Sequence, residues 1–347
     1  MAYQALYRKY RPSNFDEVVG QQHIIQTLKN AIYQNRIAHA YLFCGPRGTG
    51  KTSIAKIFAR MLNCTDKKTK PCGQCLNCQT SFAGNHPDII EIDAASNNGV
   101  DEVRNLIDKV KYAPLHGTFK VYIIDEVHMM SQGAFNALLK TIEEPPEHVI
   151  FIFATTEPNK VIPTIISRCQ RFDFSKVSDE DIIKRLKVVC ASEKIDIELE
   201  ALELIAKLAD GGMRDSLSIL DQCVAYCISK ITVDDVRSIY GVLNTQDLSD
   251  LFIYIYRNNV DQLMTALQNY ANKGVDLKRM FSDLMNLIKE SIIVDYSPKT
   301  TLVSLSHKSI IEKDMLISNV NTRLSLLDSM MDTYSKFTYA SNILDYI

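Results

Sequence analysis

Gly45-Pro-Arg-Gly-Thr-Gly-Lys-Thr52 is a glycine-rich turn ending in a lysine and a hydroxyl. It sits between a short apolar run, Tyr41-Leu-Phe-Cys44, and a stretch from Ser53 to Leu62 that alternates apolar and basic residues at helical spacing. Strand, tight loop and helix in that order make a phosphate-binding loop. Gly45, Gly48 and Gly50 let successive backbone N–H groups turn inward around phosphate oxygens, with Pro46, Arg47 and Thr49 completing the turn. The helix N-terminus adds its partial positive charge. Lys51 then reaches the β- and γ-phosphates, and Thr52 holds Mg²⁺.

Outward from this loop the chain alternates. Further strands are expected at 88–92, 120–125 and 149–154, beside the one at 40–44, with a short fifth at Phe172-Asp-Phe174. Helices are expected at 21–35, 51–62, 100–112 and 131–143. That alternation predicts a parallel sheet with helices on both faces, an α/β phosphate-loop nucleotide domain. Residues 1–20 read as an extended basic segment. After Ser178 the apolar positions recur at helical spacing, giving helices near 178–192, 198–209, 214–228 and 232–239. Gly241 and Asn244 mark a break, beyond which only helices are expected. The reading is an α/β domain over 1–177, a helical lid over 178–243 and a helical C-terminal domain over 244–347. The last segment, Arg323 to Ile347, reads as one amphipathic helix that stops on apolar residues without a capping glycine, so a natural chain running past Ile347 is expected.

The chain has 347 residues, 46% hydrophobic and 23% charged, enough for two or three domains with real cores. A net charge of −2 argues against a generic nucleic-acid binder. The charge is uneven: +7 over residues 1–60 and −7 over 61–245. A basic start suits a phosphate ligand, DNA, or both. There is no run of 18 apolar residues, and the opening stretch is too polar for a signal peptide, so a cytosolic protein is expected.

Val121-Tyr-Ile-Ile-Asp125-Glu126 is an apolar strand ending in two carboxylates. It is expected to lie beside the strand at 40–44. Asp125 would sit near Mg²⁺ through water, since that ion keeps part of its hydration shell, and Glu126 would polarise the attacking water. Phe151-Ile-Phe-Ala-Thr-Thr156 ends another strand in two hydroxyls, which can sense a γ-phosphate or orient water. Ser167-Arg168-Cys169 and Gly212-Met213-Arg214 each offer one arginine, although spacing alone favours a surface salt bridge for both.

Cys64 is followed by Cys72, Cys75 and Cys78. Paired CxxC spacing lets thiolates converge on one tetrahedral ion, and Cys64 completes four. A redox pair would show two cysteines at a strand–helix start, so structural zinc is the better reading. Cys44, Cys169, Cys190, Cys223 and Cys227 read as core residues.

Together these features resemble the γ/τ subunits of the bacterial DNA polymerase III clamp loader, a family of AAA+ ATPases. The likeness covers nearly all of residues 1–245. It runs through Tyr7-Arg-Lys-Tyr-Arg-Pro12, Phe15-Asp-Glu-Val-Val-Gly20, His39-Ala-Tyr-Leu-Phe43, the phosphate loop and the four cysteines. It continues through Glu91-Ile-Asp-Ala-Ala-Ser96, Asp125-Glu-Val-His128, Asn136-Ala-Leu-Leu-Lys-Thr-Ile-Glu-Glu-Pro-Pro146, Ala154-Thr-Thr-Glu-Pro158, Ser167-Arg-Cys169 and Gly212-Met-Arg-Asp215.

The resemblance implies roles that spacing does not. Thr156 would be the first nucleotide sensor and Arg214 the second, reaching the γ-phosphate from the lid of the same chain. Arg168 would be an arginine finger inserted into a neighbouring subunit's site. Arg11, Pro12, Val18 and Val19 would border the adenine of ATP. Arg104 and Lys140 would meet DNA phosphates. Residues 246–347 would form the collar of a five-subunit ring with δ-like, δ′-like and further γ/τ copies, acting on a sliding clamp and primed DNA in the bacterial cytosol. ATP, Mg²⁺ and structural Zn²⁺ are the implied cofactors. No further set of metal-binding carboxylates for nucleotide addition can be placed, so a polymerase label would come through the holoenzyme. Two rivals share parts of the pattern: an AAA+ DNA translocase such as a branch-migration motor, and a non-hydrolysing loader subunit. The first would not be expected to join Ser-Arg-Cys to the cysteine insertion, and the second usually has a degraded phosphate loop.

Overall fold

The computed structural model describes residues 3–66, 68–300 and 302–337. By internal contacts the chain divides between Ile231 and Thr232.

The first unit opens with two short turns rather than an extended segment. Helix α1 (Leu6–Lys9) buries Leu6 against a lid helix, and Asn14 caps a 3₁₀ turn at Phe15–Glu17 by accepting from the N–H groups of Asp16 and Glu17. Then follow α2 (Gln22–Tyr33), β1 (Ala40–Cys44), α3 (Lys51–Asn63), α4 (Leu76–Phe82), β2 (Ile89–Asp93), α5 (Val100–Val110), β3 (Lys120–Asp125), α6 (Gln132–Glu143), β4 (Val149–Thr155), α7 (Pro163–Ile166) and β5 (Gln170–Asp173). The strands form one parallel sheet in the order β2-β3-β4-β1-β5. Alternate residues serve the two faces, because successive strand side chains point oppositely. Tyr41, Phe43, Ile123 and Ile152 join the core with α2 and α3 residues, while Leu42, Tyr122, Ile124, Phe151 and Phe153 join the core with α5 and α6 residues.

The order corrects one expectation. β3 does not lie beside β1; β4 stands between them. All seven residues of β4 are buried, which suits a strand with neighbours on both sides, whereas β5 buries only Phe172 and is an edge strand. β5 also begins two residues earlier than expected, and Phe174 extends its ladder by donating its N–H to Cys44 O at 2.7 Å.

The lid is three helices: α8 (Asp179–Glu193), α9 (Leu199–Ala209) and α10 (Met213–Tyr226). Ser178 caps α8 by accepting from Asp181 N–H, and three acidic residues fill its first turn, as the helix dipole favours. Asp210 and Gly211, both at positive φ, turn the chain from α9 into α10.

The second unit is helical: α11 (Val233–Tyr240), α12 (Thr245–Tyr256), α13 (Val260–Asn272), α14 (Leu277–Tyr296), α15 (Leu305–Ile310) running into a π-turn at Ile311–Met315, and α16 (Val320–Lys336). Leu251, Phe252, Leu284, Ile288, Ile311 and Met315 form its core. Arg323 is fully buried and donates to Ser291 O at 2.9 Å and to the Asp295 carboxylate. The sequence reading ended the lid at 243; by contacts the division falls at Ile231, which groups α11 with the second unit. The expected helix end at 338–347 lies outside the described residues. Among the described residues no helix is long and apolar enough to cross a membrane.

Candidate nucleotide-binding site

The C-terminal ends of β1, β3 and β4 share one edge of the sheet, the usual position for ligands in open α/β folds. The loop after β1 carries positive φ at Gly45 (145°), Gly48 (76°) and Gly50 (98°). A Cβ on Gly45 would lie 2.4 Å from Phe174 O, and one on Gly48 would lie 2.9 Å from Gly212 Cα and 2.8 Å from Asp215 Oδ2 in the lid. Thr49 Oγ1 donates to Pro46 O at 2.8 Å, bracing the turn. Lys51 is 6% exposed, and its Nζ donates to Gly45 O and Pro46 O at 2.8 Å each. Burial pushes the Lys51 ammonium below its usual range, partly opposed by the charges of Glu126 and Asp125. A buried ammonium beside a cradle of N–H groups needs an anion, and a nucleotide phosphate fits that need.

Thr52 Oγ1 donates to Asp125 Oδ2 at 2.7 Å, so the hydroxyl and the carboxylate expected to hold Mg²⁺ already meet. Such hard oxygen donors suit that ion. Glu126 follows at φ 46°, a left-handed conformation uncommon for a non-glycine residue and typical of functional turns. Its Oε2 accepts from Thr156 Oγ1 at 3.0 Å and Thr156 N–H at 3.3 Å. Thr156 therefore touches the proposed base directly.

Lid and N-terminal segment close the rest of a cleft of about 570 Å³. Arg11, Pro12, Val18 and Val19 line it, as do Arg47 to Thr52, Asp125, Glu126 and Arg214. Arg11 Nε donates to Ser53 Oγ at 3.2 Å. Arg214 lies over the Tyr7 ring, 5.0 Å from its centroid, within cation–π range. Further lining residues, among them Tyr7, Arg185, Met213 and Leu217, received no site role from the sequence. Tyr7 and Met213 sat inside quoted motifs; Arg185 and Leu217 carry only the signal of helix positions.

Arg168 does not line this cleft. Its guanidinium pairs with Glu143 at 2.6 Å and donates to Thr164 O at 2.7 Å. Arg104 and Lys140 are exposed, on α5 and α6, and Arg104 pairs with Asp101 at 3.2 Å.

The sulfurs of Cys64, Cys72, Cys75 and Cys78 lie within 4.8 Å of one another, and Cys72 and Cys78 are 3.9 Å apart. A tetrahedral ZnS₄ centre with bonds of about 2.3 Å needs sulfur separations of about 3.8 Å, so the four thiols fit that ion. Cys72 N–H points at Cys64 Sγ (3.4 Å) and Cys75 N–H at Cys72 Sγ (3.3 Å), donors that favour thiolates. Cys64 caps the C-terminus of α3, and Asn77 Nδ2 donates to Asn63 O at 2.8 Å, fixing the module to that helix. Of the other cysteines, Cys44, Cys190 and Cys223 are buried, while Cys169 and Cys227 are only partly so.

Fold and site define an AAA+ nucleotide-binding chain with a helical lid. Residues 20–178 match the DNA polymerase III delta subunit family, 181–229 the clamp loader subunit ATPase lid domain, and 231–326 domain III of DNA polymerase III subunits gamma and tau. The DNA polymerase III subunit tau of Bacillus subtilis is 49% identical over 299 residues, 86% of this chain and 53% of that protein. The DNA polymerase III subunit gamma of Buchnera aphidicola is 35% identical over 326 residues, 92% of this chain and 88% of that protein. This chain belongs to the DNA polymerase III gamma/tau family. It spans about half the length of most curated relatives it matches most strongly. Among solved structures, the RuvB Holliday junction branch migration motor of Thermotoga maritima covers 77% of this chain at TM-score 0.51 and 19% identity, a likeness of fold alone.

Proposed function

We propose that this chain is an ATP-hydrolysing motor subunit of a bacterial clamp loader. It binds Mg²⁺–ATP in the cleft between sheet, N-terminal segment and lid, and carries a structural Zn²⁺ on its four cysteines. Lys51 and the loop N–H groups bind the phosphates. Thr52 and Asp125 hold Mg²⁺, which supplies charge stabilisation at the transferring phosphoryl group. Glu126 orients and deprotonates the attacking water, Thr156 holds Glu126, and Arg214 meets the γ-phosphate from the lid. The adenine lies between Arg11–Pro12 and Val18–Val19.

One observation carries the reading furthest: Arg168 is held away from the cleft in which Lys51, Asp125, Glu126 and Arg214 meet. Outside its own chain's cleft and partly exposed, that guanidinium would serve a neighbouring protomer. ATP then bridges Lys51 of one subunit and Arg168 of the next, and hydrolysis loosens that interface. In the cytosolic ring, with δ-like and δ′-like subunits and further γ/τ copies, this cycle would open a sliding clamp and release it on primed DNA. Arg104 and Lys140 would contact the DNA phosphates without reading sequence.

The test is ATP binding and DNA-stimulated hydrolysis in the reconstituted loader. Lys51→Ala should abolish binding. Arg168→Ala should leave binding within about twofold and lower stimulated turnover by about 10²–10³. Normal stimulated turnover in Arg168→Ala would defeat the shared-site arrangement.

A further inference from the structure

We propose that His128, in the turn after the acid pair, is a positioning residue that selects which oxygen of Glu126 receives the proton of the attacking water; this rests on the hydrolytic reading above. The His128 side chain is only 6% exposed. Its Nδ1 lies 3.1 Å from Thr155 Oγ1 and 3.4 Å from Glu126 Oε2, and its Nε2 lies 3.4 Å from Glu157 Oε1. A carboxylate oxygen thus lies 3.4 Å from each ring nitrogen, while the hydrogen-bond partner of Nδ1 is Thr155 Oγ1.

The ring is itself fixed from β4. Thr155 is fully buried, and its Oγ1 accepts from Glu157 N–H at 3.0 Å. Glu157 is held in turn by Lys160 at 2.8 Å.

The contacts to Glu126 converge on one atom. Thr156 N–H and Thr156 Oγ1 both hydrogen-bond Oε2, and His128 Nδ1 lies 3.4 Å from the same atom. Hydrogen bonds to a carboxylate oxygen lower its basicity, so Oε1 is left as the oxygen that accepts from water. Glu126 sits on a left-handed turn in an open cleft, where an unrestrained carboxylate would rotate freely. Misplacing a base by about 1 Å costs about a hundredfold, so a second polar group beside Thr156 has a rate to protect.

Asparagine places an amide nitrogen near the position of Nδ1, and glutamine near that of Nε2. This gives a discriminating set: His128→Ala, His128→Asn and His128→Gln, each in the full chain assembled with the other loader subunits. Turnover with primed DNA and clamp, ATP affinity and thermal stability are measured for each. The expected result is a drop in kcat of about tenfold for Ala and Gln, with ATP affinity within twofold of the parent. Asn should recover turnover to within about threefold. Equal turnover in all variants, a loss of affinity that tracks the loss of rate, or Asn no better than Gln would overturn the proposal. The unsubstituted assembly is the control. If it fails to hydrolyse ATP at all, the parent reading fails instead.

Discussion

Gly45 shows how little freedom single residues have at the phosphate end. Its φ of 145° is strained for any residue with a Cβ, and the added carbon would meet the backbone oxygen of Phe174 at 2.4 Å. Gly45→Ala is therefore expected to cost about 2–4 kcal/mol and to abolish nucleotide binding, read by chemical denaturation and by titration with labelled ATP. Asp88 is another residue with several tasks. Burial pushes its carboxyl up, but the N–H groups of Leu115, His116 and Gly117, at 2.7–2.8 Å, outweigh that and hold it below its usual range. It thereby ties the start of β2 to the loop that leads into β3. At this scale the sequence was most readable where partners are covalent neighbours. The loop Gly45–Thr52 and the pair Asp125-Glu126 announce themselves by spacing. Tyr7, Arg185 and Leu217 do not, because their place in the cleft follows from packing of segments far apart in the chain. His128 was visible only as one letter of a motif, and its contacts with Glu126 and Glu157 depend on a turn that periodicity does not encode.

Elements were legible in type and less so in neighbourhood. Fully apolar runs of five and six residues marked β1 and β4, and the helices between strands lie within a few residues of expectation. Strand order is a property of crossovers, which explains why β4 was not expected between β1 and β3. Helix α4 was also not foreseen; it follows from Cys75 and Cys78, whose spacing curls the chain around the thiol cluster. Helix α3 links two sites, with Lys51 at its first turn and Cys64 at its C-terminal cap. Cys75→Ser should lower bound zinc from one ion per chain to none by elemental analysis, and lower Tm by about 5–10 °C. ATP affinity should change little, because thirteen helical residues separate the ends by about 20 Å.

The whole molecule is two units, each with its own apolar core. The cleft is built entirely from residues of the first. Residues 1–231 expressed alone should therefore unfold cooperatively and bind ATP within about threefold of the full chain, by calorimetry and titration. They should fail to enter the ring, by native mass spectrometry, if the second unit is its collar. Aggregation of 1–231 under conditions where the full chain is monodisperse would count against independent folding.

Gly48 and the start of the lid's third helix, α10, approach so closely that not even a methyl group fits between them. There is no slack at that seam. A rocking of the three-helix cap by an ångström must be felt as pressure on the turn that grips the phosphates, and a change of guest beneath that turn must be felt by the cap. Occupancy and cap angle are then one mechanical coordinate, and a neighbour that leans on the cap is also asking what the site holds.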